Sequence, residues 1–128
     1  MPDYLDTSAF IKLVLSEPES AALRRELGDG DLLSSALLSV EGPRAARRYG
    51  SLAERRALVA LTAVTLIPLD EPVLAAAAAL EPAELRSLDA LHLASALSLG
   101  ADLARFYCYD ARLAGAAAAL GIEVRGPG

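Results

Sequence analysis

Four acidic residues stand where side chains far apart in the chain could meet. Asp6 follows the apolar run Pro2–Leu5 and opens a helical stretch, in Tyr4-Leu5-Asp6-Thr7-Ser8-Ala9. Glu41 lies in Ser39-Val40-Glu41-Gly42-Pro43-Arg44, Asp89 in Ser87-Leu88-Asp89-Ala90-Leu91-His92, and Asp110 in Tyr109-Asp110-Ala111-Arg112-Leu113. Each has an ordinary reading. An Asp before a helix caps it by accepting backbone N–H bonds, and Glu41 could pair with Arg44 one turn on. Capping explains each Asp singly and requires no convergence. Read together, four converging carboxylates would repel one another, and burial would raise their pKa values. A hard divalent cation relieves that repulsion, and all-oxygen ligands select Mg²⁺ or Mn²⁺. Such an ion activates water and binds a phosphodiester oxygen, so the chemistry would be metal-assisted phosphodiester hydrolysis.

That chemistry needs a scaffold that gathers strand ends. Short apolar strands are expected at 2–5, 31–34, 65–67, 105–109 and 122–124. Between them the spacing predicts helices over 6–15, 19–27, 35–49, 51–64, 71–80, 89–99 and 110–120. Gly28-Asp29-Gly30 reads as a turn, Gly50, Gly100 and Gly121 as helix stops, and 81–88 as a loop or short helical turn. Strands alternating with helices give an α/β fold, a central parallel sheet of four to five short strands with helices on both faces. Right-handed crossovers place the strand-to-helix junctions along one edge, where open α/β sheets bind ligands. All three Asp residues are expected at such junctions, with Glu41 near the start of the helix after the second strand.

The chain has 128 residues, 54% of them hydrophobic, enough for one domain spanning 1–128 with its own core. One cysteine, Cys108, excludes an internal disulfide and fits a reducing, cytoplasmic setting. No signal peptide is expected, and Glu81 interrupts the apolar run 74–80 before it reaches membrane-spanning length. A formal net charge of −5 argues against broad adhesion to nucleic acid, not against a nucleic-acid substrate. Lys12 is the one lysine among 12 basic residues. Arg44, Arg47 and Arg48, with Arg55 and Arg56 on the next helix, form either a solvated face or a local phosphate track. His92 shares a helix face with Asp89 and is expected to pack or to support a neighbour rather than to act as a base. Thr7 is expected to cap the first helix. Ser8 could cap it too, or bind a water or phosphate. Leu13, Val14, Leu23 and Leu27 read either as core or as a groove for a partner segment.

Leu5-Asp6-Thr7-Ser8-Ala9, Glu41, Leu88-Asp89-Ala90-Leu91-His92-Leu93-Ala94 and Tyr109-Asp110-Ala111-Arg112-Leu113 resemble, in order and over essentially the whole chain, the four acidic motifs of the PIN-domain family. The resemblance is greatest to the VapC-type toxins of bacterial toxin–antitoxin pairs. It implies an Mg²⁺- or Mn²⁺-dependent endoribonuclease acting on RNA, held in check by a cognate antitoxin and usually a homodimer, with no membrane partner. In that scheme Asp6, Glu41, Asp89 and Asp110 are catalytic, with Asp6 and Asp89 the metal ligands. Two departures stand out. Gly42-Pro43 follows Glu41 where an uninterrupted helix is usual; Pro43 has no N–H for the carbonyl of Ser39, so Glu41 is expected either in the first turn or at a kink. Cys108 stands two residues before Asp110 where Ser or Thr is common, and a thiol should support Asp110 less well. Two other readings remain open from the residues. One is aspartate-based phosphotransfer of the receiver or haloacid-dehalogenase kind. Against it, Ser8 stands where the dehalogenases want a second Asp, and no lysine follows Lys12. The other is a PIN-like binding module without catalysis.

Overall fold

The computed structural model describes residues 1–128. The strands are β1 (Asp3–Leu5), β2 (Leu32–Ser35), β3 (Val64–Ile67), β4 (Phe106–Tyr107) and β5 (Val124–Arg125). The helices are α1 (Thr7–Val14), α2 (Ser20–Leu27), α3 (Leu38–Arg47), α4 (Ser51–Leu61), α5 (Glu71–Ala79), α6 (Ser87–Leu97) and α7 (Ala111–Ala119). All five strands are parallel, in the order β3-β2-β1-β4-β5.

The period of two along β1 and β4 divides the core. Tyr4 and Phe106 are register partners with stacked rings, and they pack with Leu93 and Ala96 of α6 and Leu113 and Ala117 of α7. Leu5 and Tyr107 point the other way, into Ala9, Leu23 and Leu27 of α1 and α2. Phe10 and Val14 carry that second layer on to α3, α4 and Val64. Helices therefore cover both faces, as a parallel sheet requires. Glu26 fastens α2 to the sheet: it accepts from the Tyr107 hydroxyl at 2.9 Å and from both Arg125 Nε at 2.9 Å and Nη2 at 2.6 Å.

Strand order 3-2-1-4-5 reverses at β1. The chain builds outward through β2 and β3, then returns to add β4 on the opposite side of β1. A crevice opens at such a reversal, outside the carboxyl ends of the two diverging strands. Asp6 directly follows β1, and Asp110 lies three residues beyond β4.

Three expectations need correction. Asp89 is not at a strand-to-helix junction: α6 follows α5 with no strand between, and begins at Ser87, so Asp89 sits inside its first turn. The helix expected over 35–49 begins only at Leu38; it runs on through Pro43 to Arg47, with Glu41 in its first turn. Pro43 falls early enough to remove just one bond, to the carbonyl of exposed Ser39, which water can satisfy. The fourth and fifth strands are shorter or shifted, at 106–107 and 124–125, because only these residues reach a neighbouring ladder.

Candidate active site

Asp6 is 3% exposed and does two jobs with one carboxylate. Its Oδ1 accepts the N–H of Ala9 at 2.9 Å, capping α1. The Ser8 hydroxyl lies 2.7 Å from Oδ1 and 2.8 Å from Oδ2. The Cys108 thiol donates to Oδ2 at 3.1 Å. Burial pushes the Asp6 pKa upward, and the Ser8, Ala9 and Cys108 bonds oppose that push without overcoming it. Cys108 itself is pushed up by burial and then by the Asp6 charge, so it remains a protonated donor. The thiol thus serves Asp6, not the Asp110 side chain; it meets Asp110 only at the backbone carbonyl, 3.3 Å away. Ser8 also accepts the N–H of Tyr109 at 2.9 Å, which ties the start of α1 to the segment leaving β4. Thr7 does not cap α1, because Asp6 already holds that place.

Glu41 is aimed by two donors from other elements. Thr7 Oγ1 donates to its Oε1 at 2.7 Å, and His92 Nε2 lies 2.7 Å from the same oxygen. His92 is 2% exposed, and its Nδ1 is 2.8 Å from the Tyr4 hydroxyl. A neutral imidazole satisfies both contacts when Tyr4 donates to Nδ1 and Nε2–H donates to Glu41. Burial works to raise the Glu41 pKa, but the His92 and Thr7 bonds outweigh it and hold the carboxyl below its ordinary range. The alternative pairing with Arg44 does not form: Arg44 has no acidic group within 4.0 Å.

Asp89 lies on α6 one turn before His92. Burial raises its pKa, and the charge of Asp110 raises it further, with Glu41 adding a smaller push. Arg86 Nε, 3.7 Å from Asp89 Oδ2, acts in the opposite direction. Asp110 caps α7 by accepting the N–H of Leu113 at 3.0 Å. The four acids are therefore brought together by short links. Thr7, next to Asp6, holds Glu41; His92, one turn from Asp89, holds the same oxygen; Cys108 bridges Asp6 to the Asp110 backbone; and the charge of Asp110 bears on Asp89.

No three His, Cys, Asp or Glu side chains stand close enough to enclose an ion by direct ligation. Mg²⁺ does not demand this: it keeps several waters and is commonly held by one or two carboxylates. An all-carboxylate donor set, in which the charges of Asp110 and Glu41 push the Asp89 pKa upward, fits a hydrated hard cation, and contains no soft ligand apart from the neutral Cys108 thiol.

Sequence spacing alone gave no role to Tyr4, which reads as a core aromatic; only the fold shows its hydroxyl on His92. The basic residues divide. Arg44, Arg47 and Arg48 line one shallow cavity, while Arg55 and Arg56 face a separate groove with Leu13, Val14 and Val59. Arg47 is tied to Glu54 at 3.2 Å. Leu23 and Leu27 are core, not groove.

His92→Leu is expected to cost about 1–3 kcal/mol, because it strands the buried Tyr4 hydroxyl and removes a donor from Glu41. It also changes the pH dependence of stability. A carboxylate with a depressed folded pKa stabilises above its unfolded value and loses that contribution as pH falls through the folded one. The variant should therefore lose less stability on acidification than the wild type. Urea denaturation at neutral and acid pH measures both effects; an unchanged midpoint would contradict the network.

The PIN domain model matches residues 4–119. Ribonuclease VapC46 of Mycobacterium tuberculosis is 46% identical over 125 residues, covering 97% of this chain and 96% of that protein. Ribonuclease VapC47 of the same organism is 42% identical over 131 aligned positions, covering 98% and 96%. The crystal structure of M. tuberculosis VapC20, described as a sarcin–ricin-loop-cleaving toxin, superposes with a TM-score of 0.74 at 17% identity, covering 99% of this chain and 100% of that one. At that identity the likeness concerns the fold. The chain belongs to the PIN domain family, among its VapC-type members.

Proposed function

We propose that this protein is a divalent-metal-dependent endoribonuclease that hydrolyses RNA phosphodiester bonds, with Asp6, Glu41, Asp89 and Asp110 as its catalytic acids. What supports the reading is the placement of these four acids at four separate helix starts beside the reversal point of the sheet, with Thr7 and His92 both on Glu41 and the charges of Asp110 and Glu41 bearing on Asp89. Asp6 and Asp89 would hold Mg²⁺ or Mn²⁺, which supplies a counter-charge for the scissile phosphate and activates water. Of the two Asp6 oxygens, Oδ2 has the weaker protein partner, a thiol, and is the better placed to take a cation. Glu41, fixed in ionised form by Thr7 and His92, would orient the attacking water by accepting its hydrogen bond. Asp110 would complete the negative wall.

The relatives' names support a toxin of an antitoxin pair. The groove of about 710 Å³ between α1 and α4, with an apolar floor of Leu13, Val14, Leu52 and Val59 and a rim of Arg24, Arg55 and Arg56, suits an antitoxin segment that is apolar with acidic flanks. A homodimer acting in the cytoplasm belongs to the same proposal; no helix is long and apolar enough to cross a membrane.

The test is cleavage of total RNA by the purified chain with Mg²⁺ or Mn²⁺, with chelator, and with Asp89→Asn. Cleavage should require the cation and fall about a hundredfold in the variant, whose amide can neither repel Asp110 nor bind a cation well. Metal-independent cleavage, or full activity of Asp89→Asn, would remove the proposal.

A further inference from the structure

A second cavity adjoins the acids and has no role in the chemistry above. It occupies about 550 Å³ between the segment entering α6 and the outer face of α7, and is lined by Pro82, Glu84, Leu85, Arg86, Asp89, Arg112, Gly115, Ala116 and Ala119. Three features separate it from an ordinary surface dent. Asp89 forms part of its wall, so an occupant lies beside one of the candidate catalytic carboxylates. Arg112 is exposed on that wall with no acidic partner within 4.0 Å, and Arg86 is held only by the loose 3.7 Å contact with Asp89. Gly115 sits in the middle of α7, where glycine costs about 1 kcal/mol relative to alanine, yet a Cβ there would meet nothing within 4 Å. No close packing and no unusual backbone angle calls for glycine at this position. What a side chain at 115 would occupy is the cavity.

We propose that this cavity receives the base of a nucleotide flanking the scissile phosphate, and so sets which RNA sequence is cut; the inference rests on the ribonuclease reading above. Single-stranded RNA is read by splaying a base into a pocket, stacking it on apolar or guanidinium surfaces and bonding its edge. Leu85, Pro82 and Ala116 offer the apolar surface, and Arg86 and Arg112 offer planar cations that stack on a base or clamp the adjoining phosphate. Glu84, on the same wall, supplies an acceptor for an exocyclic amine. The pocket thus favours a base presenting donors on its edge, and its position beside Asp89 fixes the cut at a constant offset from that base.

The experiment is cleavage of a randomised RNA pool with Mn²⁺ by the full chain, sequencing the ends produced, for wild type, Gly115→Ala, Gly115→Leu and Arg112→Ala. Wild type should show a base preference at one position next to the cut. Gly115→Ala should keep it, since one methyl meets open space. Gly115→Leu should flatten it and lower kcat/KM on the preferred sequence about tenfold without lowering the melting temperature. Arg112→Ala should lower kcat/KM through KM. Ala119→Leu, one turn further along the exposed face, fills the same space and replaces Gly115→Leu if that variant does not fold. Wild-type cleavage with no flanking preference overturns the pocket, as does a filled variant that keeps the wild-type preference and rate. A wild type that cuts no RNA with any cation overturns the ribonuclease reading instead, so the two failures are distinguishable.

Discussion

Replacing Asp6 with asparagine is expected to lower RNA cleavage about a thousandfold and to make the metal-free protein more stable at neutral pH. The loss follows from removing the most deeply placed of the four charges: a cation at a scissile phosphate contributes several kcal/mol to the transition state, and about 4 kcal/mol is a thousandfold in rate. The gain follows from the same burial. Asp6 is 3% exposed, and its folded pKa lies above the ordinary 3.8. A carboxyl with a raised folded pKa contributes stability below its unfolded value and loses it as pH rises through the folded one. At neutral pH the buried Asp6 carboxyl is therefore a cost that the neutral amide does not carry. Asparagine caps a helix as well as aspartate and keeps an oxygen for Ala9 and Ser8. Asp6→Ala serves as the contrast: it also inactivates, but it removes the cap and the acceptor of the Ser8 hydroxyl, so its stability should fall. Thermal melts of the metal-free proteins at neutral and acid pH, beside RNA cleavage assays, separate the two substitutions. An Asp6→Asn protein that melts below wild type, or cuts RNA at the wild-type rate, would refute this account. Such opposition between stability and function is what a buried charge at a working site predicts.

Much of this arrangement was legible in the residues because two of the acids had to follow strands. Asp6 and Asp110 stand at the carboxyl ends of β1 and β4, and a parallel sheet with right-handed crossovers brings those ends to one edge. Both cap the helices they precede, and capping leaves lone pairs on each carboxylate for a further partner. Asp89 was found for a different reason from the one its position suggested. It reaches the edge from the first turn of α6, a helix placed by Leu93 and Ala96 packing on Tyr4 and Phe106, not by a preceding strand. The Tyr4–His92–Glu41 chain of contacts could not be read from spacing. It joins residues 88 and 51 positions apart, and tyrosine in a buried strand carries the same pattern whether or not its hydroxyl has a partner. The Cys108 thiol was expected to serve Asp110 because of sequence proximity. The alternation of a strand decides otherwise, and sends it across to the carboxylate of the neighbouring strand end.

Glu41 was expected in the first turn of its helix or at a kink; it stands in the first turn, and what seats that turn leads to the second large effect. Gly42→Leu is expected to prevent folding, and Gly42→Ala to destabilise despite restoring a better helix former. The backbone of α3 at Gly42 lies directly against α1: a Cβ at 42 would stand 2.9 Å from Phe10 Cε2, 3.3 Å from Phe10 Cδ2 and 3.6 Å from Leu38 Cδ1. Phe10 is fully buried and packs in one cluster with Val14, Leu38, Ala46 and Ala57, so its ring cannot swing aside without displacing others. Alanine gains about 1 kcal/mol of helix propensity. Against this, forcing one methyl into a filled core costs about 1–3 kcal/mol; the contact falls below 3.0 Å against a ring rather than a flexible chain end, which places the cost at the upper end. The net for Gly42→Ala is a loss of about 1–2 kcal/mol by these two estimates. Leucine adds three more carbons where not one fits. The glycine therefore sets the α1–α3 distance, and that distance is what lets Thr7 on α1 reach Glu41 on α3 at 2.7 Å. Gly42→Ala should accordingly lower cleavage beyond its effect on stability when assayed where the variant remains folded, since pushing α1 and α3 apart lengthens the Thr7–Glu41 bond. Urea denaturation gives the first quantity, and cleavage at a temperature well below the variant's melting point gives the second. A Gly42→Ala protein more stable than wild type would show that α1 and α3 yield freely, and that this contact does not fix where Glu41 points.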